Sequence, residues 1–269
     1  MRWYYWQLMR CSTLPPEDGC SVMPGGLKPN MIKDHRPYVV KKAYLKFQRF
    51  YAHHFLGPQL EHLGRGFTFM RPWHVELFGA PIAIGRFATV IATPDKKIRL
   101  SVWPDQAGKG HISIGNYCLV CPGVRISSAA GITIADNCMI ANGAYITDSD
   151  WHGIYDRISF GNAMPVTIEK NAWIGDSAII CKGVTIGENS IVGAGAIVVD
   201  SVPANCVAAG NPARVVKQLD PEESFTTRAE FFSDPAKLSR EFMAWEQAML
   251  HGNTLFGWLR HLLFPARGD

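Results

Sequence analysis

His152 is the only histidine between His111 and His251. It sits in Thr147-Asp148-Ser149-Asp150-Trp151-His152-Gly153-Ile154-Tyr155-Asp156-Arg157, a stretch rich in acids and aromatics. A neutral imidazole can take a proton from a hydroxyl as that oxygen attacks an electrophile. A neighbouring carboxylate, Asp148 or Asp150, can fix its tautomer. A lone loop histidine is ordinarily a surface residue, so its surroundings decide between the two readings. A second chemical element is Ala209-Gly210-Asn211-Pro212-Ala213-Arg214-Val215-Val216-Lys217. Its Arg214 and Lys217 can offer charge-assisted hydrogen bonds to phosphate oxygens; a turn with incidental basic residues is the alternative. A third is Ile191-Val192-Gly193-Ala194-Gly195-Ala196-Ile197. Small side chains there leave room for a thin ligand arm along the backbone, although tight corners also call for Gly and Ala.

The elements that must position these residues come from an unusual period. Ile114, Val120 and Ile126 are six apart. After a two-residue slip the step resumes at Ile134, Ile140 and Ile146, and after a longer gap it runs through Ile168, Ile174, Ile180, Ile186, Val192 and Val198. Four residues beyond each, except Ile146 at the break, stands a compact residue: Cys118, Val124, Ala130, Cys138, Ala144, Ala172, Ala178, Val184, Ser190, Ala196 and Val202. A helix repeats near 3.6 residues and a single strand at 2, so neither explains a step of six. A triangular coil does. Each side is one hexapeptide strand, the aliphatic residue fills the interior, and the compact residue fits near the corner. Such coils are stable only as a stack. Ile84 and Val90 mark an earlier, irregular coil. The period breaks once at length, between Ile146 and Ile168, and His152 lies in that break. A loop leaving a rigid scaffold is a favoured place for function.

The repeat resembles that of the hexapeptide-repeat acyltransferases, and Asp-Ser-Asp-Trp-His152 is similar to the catalytic loop of their galactoside, maltose and xenobiotic acetyltransferase branch. The resemblance implies a mainly β fold, a left-handed parallel β-helix. It also implies a homotrimer with active sites between subunits, acetyl-CoA as acyl donor, and His152 as general base toward a hydroxyl of a sugar or glycan-type acceptor. Asn171-Ala172-Trp173-Ile174-Gly175 is similar to the start of the branch's next coil, where the Trp walls the acyl-transfer site; packing on a coil face is the alternative for Trp173. The 209–217 stretch resembles the ending of CoA-dependent members, in which basic side chains such as Arg214 and Lys217 meet phosphates. Gly193, Ala194 and Ala196 then border the pantetheine arm. Three departures limit the likeness. Gly153 replaces the branch's Pro after the histidine. Val120-Cys121-Pro122-Gly123 lacks the Asn that helps hold a galactoside. Val199-Asp200 stands where members often carry Thr-Lys. Two other readings remain: N-acetyl transfer to an amino sugar, and a non-catalytic β-helix scaffold.

Composition sets the outer bounds. The chain has 269 residues, 47% hydrophobic and 19% charged, which excludes a disordered chain. No apolar run approaches the roughly 18–20 residues of a spanning helix, and Met1–Ser12 lacks the pattern of a secretory signal. The net charge of +4 is uneven. Residues 1–75 hold 11 Lys/Arg against 4 Asp/Glu, and the remainder is slightly acidic. Seven cysteines, mostly within apolar segments, read as buried thiols of a reducing compartment. Cys118-Leu119-Val120-Cys121 has no partner pair at ligand spacing, so no metal is expected, and no nucleic-acid motif is visible. The expected organisation is a loosely ordered extension over 1–30 (with Met31 as a possible start), a basic helical flank over 31–75, the β-helix over 76–217, and a C-terminal helical cap over 218–269. Tyr44, Phe47 and Tyr51 at helical spacing predict an amphipathic helix, and Asp234-Pro235 predicts a helix start. The flanks admit peripheral membrane contact, and the expected location is cytoplasmic, at most at the inner membrane face.

Overall fold

The computed structural model describes residues 34–104 and 109–265; the expected extension over 1–30 and the start at Met31 lie outside the described residues. After helix α1 (Tyr38–Tyr51) the chain winds through six coils of three strands. The first three are β1 (His62–Leu63), β2 (Thr68–Met70), β3 (Val75–Phe78); β4 (Ile82–Ile84), β5 (Thr89–Ile91), β6 (Ile98–Val102); and β7 (Ile112–Ile114), β8 (Leu119–Val120), β9 (Arg125–Ser128). The next three are β10 (Ile132–Ile134), β11 (Met139–Ile140), β12 (Tyr145–Thr147); β13 (Val166–Ile168), β14 (Trp173–Ile174), β15 (Ile179–Ile180); and β16 (Thr185–Ile186), β17 (Ile191–Val192), β18 (Ile197–Val198). Then come β19 (Cys206–Gly210), β20 (Ala213–Gln218) and helices α2 (Arg228–Phe231), α3 (Pro235–Met249) and α4 (Leu255–Leu263).

Strands three apart pair in parallel, giving three sheets: β1-β4-β7-β10-β13-β16, then β2-β5-β8-β11-β14-β17-β19-β20, then β3-β6-β9-β12-β15-β18. They form the faces of a left-handed β-helix. Stacking is in register, with Ile168 on Ile186, Ile174 on Val192 and Ile180 on Val198. All twelve aliphatic positions of the six-residue period are buried, so the repeat is the core. The compact positions are buried as well, except Ala130. The reason is the slip: two extra residues bring Ile132 into the inward slot between Ile112 and Val166 and push Ala130 into the turn.

Winding begins earlier than the repeat alone suggests. The coils start at His62, not 76, and the π-helical turn Ala52–Leu56 that follows α1 buries Ala52 and Leu56 in the same core. Tyr44, Phe47 and Tyr51 of α1 all pack on Trp73, with ring centroids 5.8–5.9 Å apart. At the corner between the first and second sheets the chain takes a left-handed backbone conformation at Phe87, Tyr117, Asn137, Asn171, Asn189 and Asn205, a conformation Asn tolerates better than most residues. The asparagines form a ladder, Asn171 donating to Asn189 (2.9 Å) and Asn189 to Asn205 (2.8 Å). Phe87 and Tyr117 stack lower down.

At the far end, β20 runs antiparallel to β19. The residues after it follow the asparagine corner back instead of closing the last coil. Leu219 N–H donates to the Asn205 carbonyl, Ala229 N–H to Asn137 Oδ1, and Arg228 Nε to the Tyr117 carbonyl (2.6 Å). The coils and this segment belong to one compact unit, Ala43–Ser233; a second comprises Met1–Lys42 with Asp234–Asp269. Within the second, Asp234 caps α3 and Thr254 caps α4. Asn253 Nδ2 donates to the carbonyls of Asp34 and Arg36, and Arg36 and Lys41 flank Asp34. Burial alone raises a carboxyl; the hydrogen bonds and charge of Arg36 outweigh it and lower that of Asp34. None of the helices among the described residues is long and apolar enough to cross a membrane.

Candidate active site

The long break in the period emerges as a loop at the corner between the third and first sheets, joining β12 to β13. Its two limbs pair antiparallel: Ser149 bridges Ala163, Asp150 N–H donates to the Asn162 carbonyl, and Met164 N–H to the Asp148 carbonyl. The root is fixed by one carboxylate. Asp148 is completely buried. Its Oδ1 accepts from Ala129 N–H (2.6 Å); its Oδ2 accepts from Gly131 N–H (2.6 Å), Ala130 N–H (3.0 Å) and Ser128 Oγ (2.8 Å). The residues of the two-residue slip thus make a turn whose amides converge on the loop's first acid. The peptide units that the slip would otherwise leave unpaired find their acceptor there. Farther out, Trp151 Nε1 donates to Thr147 Oγ1 (3.0 Å), and Lys182 pairs with Asp150.

His152 is exposed on this braced loop. No hydrogen bond joins its ring to Asp148 or Asp150. Asp148 has both oxygens committed to the 128–131 turn, and Asp150 is held by Lys182. Asp148 therefore braces the loop rather than the imidazole.

The residues expected to border a coenzyme gather elsewhere, on the second sheet and its corner with the third. Trp173, 41% exposed, shares an outward row with Ile191, Val207 and Lys217. Arg214 pairs with Ala209 across β19–β20. Gly193 lies beside Ala209: a Cβ built on it would stand 3.0 Å from that of Ala209. One coil away, a Cβ on Gly175 would stand 2.5 Å from the Val192 carbonyl oxygen. Gly175, Gly193 and Ala209 thus form a strip of small residues on successive coils, closely packed, that ends beside Arg214. Gly175 and Ala209 stand in motifs quoted above without a role beside Gly193; their signal is the 18- and 16-residue spacing that places them one coil from it. Ala194 is exposed, but Ala196 is fully buried in the core and can offer only backbone. Arg214 is exposed and paired with Asp200 at 3.1 Å, the acid noted above as a departure. His152 and this small-residue strip stand at different corners of one chain. Nearby, Cys181 is half-buried, and desolvation raises its thiol pKa.

Comparison with known proteins agrees with this architecture. Residues 165–200 match the bacterial transferase hexapeptide family (six repeats), and residues 111–148 match the hexapeptide repeat of succinyl-transferase. The chain is 40% identical over 92 residues to the galactoside O-acetyltransferase of Escherichia coli, covering 33% of this chain and 45% of that one. It is 30% identical over 148 residues to the putative colanic acid biosynthesis acetyltransferase WcaF of E. coli, covering 55% and 74%. A solved galactoside acetyltransferase in complex with coenzyme A aligns over 70% of this chain and 87% of its own, at 24% identity and a TM-score of 0.44. The chain spans less than half the length of the first curated relatives it matches. The in-register hexapeptide coils, together with a relative at 30% identity matched over three-quarters of its length, place the chain in the hexapeptide-repeat acyltransferase family.

Proposed function

We propose that this chain transfers an acetyl group from acetyl-CoA to a hydroxyl of a glycan-type acceptor. The observation that carries the reading is the exposed His152 ring, without a hydrogen bond among the described residues, on a loop braced at its root by Asp148 and Lys182–Asp150. His152 takes the proton of the acceptor hydroxyl while that oxygen attacks the thioester carbonyl. It returns the proton to the departing sulfur, leaving the ester and CoA. Arg214 and Lys217 bind the phosphates, the pantetheine arm lies along the small-residue strip at Gly193, Ala194, Ala196 and Ala209, and Trp173 walls it. Asp148 is a positioning residue that acts through the loop. Relatives named as galactoside and colanic acid acetyltransferases support a sugar acceptor. Since the base and the small-residue strip stand at different corners of one prism, a site that needs both is assembled between copies, in a homotrimer. The use of acetyl-CoA and the cysteines that are mostly buried among the described residues suit the cytoplasm.

His152→Ala is expected to lower acetyl transfer by about 10²–10⁴-fold with an unchanged melting temperature, because general-base catalysis is worth about that much. Wild-type turnover in that variant would remove the proposal. The Arg214–Asp200 pair favours a second reading, a scaffold whose phosphate cation is already neutralised. Calorimetric titration with acetyl-CoA separates the two: saturable heat supports transfer, and none supports the scaffold.

A further inference from the structure

A second feature stands at the corner that carries the His152 loop. Phe78 and Trp103 stack at 4.0 Å between centroids and 23° between planes, yet are 52% and 49% exposed. Two large rings stacked in the open bury little of their own surface, which is an unusual use of aromatic residues. Within two residues of them in the chain, Ala80 and Pro104 line a cavity of about 410 Å³ whose polar side chains, among the described residues, are Glu61, Lys109, His111 and Ser113. That volume falls in the range of small-ligand sites. Flat apolar rings next to a wall of mixed donors and acceptors suit a sugar. The C–H face of a pyranose lies against the negative face of a ring, while its hydroxyls need both kinds of hydrogen-bond partner.

The cavity wall is joined directly to the braced turn. Gly110 N–H donates to the Ala130 carbonyl, Ile132 N–H to the His111 carbonyl, and His111 Nε2 lies 3.2 Å from Thr133 Oγ1. Trp103 N–H donates to the carbonyl of Ser128, whose hydroxyl binds Asp148. The cavity and the root of the His152 loop are therefore two coil steps apart along one corner, about 10 Å at the usual strand spacing.

We propose that Phe78, Trp103 and this cavity form a distal sugar subsite, so that the acceptor is an oligosaccharide chain running along the corner and not a free monosaccharide. The inference rests on the acetyl-transfer reading for the role of the chain as acceptor, but its binding test does not. Arrays of bacterial surface-polysaccharide fragments, from one sugar to five, are probed with the full-length protein. Retention of fragments of two or more sugars is expected. Trp103→Ala and Phe78→Ala should weaken that retention about tenfold, the scale of one lost aromatic stack with its buried area. Trp103→Tyr, which keeps a flat ring, should recover most of it. Unchanged melting temperatures in the three variants guard against misfolding. Three results would each overturn the subsite: no fragment retained by the wild type, single sugars held as well as chains, or alanine variants that bind like the wild type. Acetyl-CoA calorimetry on the wild type is read separately. Absent heat with intact, ring-dependent glycan retention removes acetyl transfer and leaves the subsite standing.

Discussion

Replacing Asp148 by Asn tests most sharply what holds the loop. The carboxylate accepts four hydrogen bonds, three from main-chain amides, in a fully buried position. An Asn carbonyl oxygen placed at the Oδ2 position can still accept from Ser128 Oγ and the amides of Ala130 and Gly131. Its NH₂ group then faces the Ala129 N–H, donor against donor. One buried amide left unsatisfied costs about 1–3 kcal/mol. Loss of charge assistance on the other three bonds costs a further few tenths to 1 kcal/mol each. The total is about 2–6 kcal/mol. At roughly 2–4 °C per kcal/mol for a domain of this size, melting falls by about 4–24 °C. Calorimetric melts run beside acetyl-transfer assays give the readout. If Asp148 instead oriented the imidazole, Asp148→Asn would depress kcat while the melt stayed in place. A melt within about 1 kcal/mol of wild type would refute the bracing role.

Three further outcomes are expected. Asp200→Ala, which releases Arg214 from its exposed ion pair, should tighten acetyl-CoA binding by up to about fivefold, as such pairs are worth no more than about 1 kcal/mol; isothermal titration measures it. Ile146→Ala, at a fully buried position in the middle of the stack, should cost about 2–5 kcal/mol in denaturant unfolding. Glu76 is held below its usual carboxyl range by hydrogen bonds from Lys97 and Arg99. Its stabilisation is thus present above the unfolded-state pKa and lost as pH falls through the lower folded-state value. Glu76→Gln should lower stability by less than about 1 kcal/mol at pH 7, and the difference should vanish in melts at strongly acidic pH.

The six-residue period was legible because it is written in interior residues. Ile114 to Val198 each fill the prism, and no other structure puts Ile140, Ile174 and Val192 in one column. The break holding His152 was legible for the same reason. The partners of Asp148 were not, since its donors lie 17–20 residues back, and nothing local marks a buried acceptor. The slip at Ala130 was the available signal: two extra residues in a coil present amides that need an acceptor. The first coil does keep the step, with Leu63, Phe69 and Val75 six apart, but its aromatic middle position and the nine-residue gap to Ile84 break its phase with the later repeat. Asp150, though correctly placed in the loop, meets Lys182, a residue 32 positions on that enters its neighbourhood only through the winding.

The reversed direction of β20 has a consequence for assembly. A parallel stack is a template, and the bare edge of β19 would accept any further extended strand in the same sense. Because β20 runs against the winding, it occupies that edge with a strand no additional coil can copy. The rod's length is thereby set by the gene and not by concentration. Shearing β20 away would bare that edge and leave it open to pairing with an extended strand of another copy.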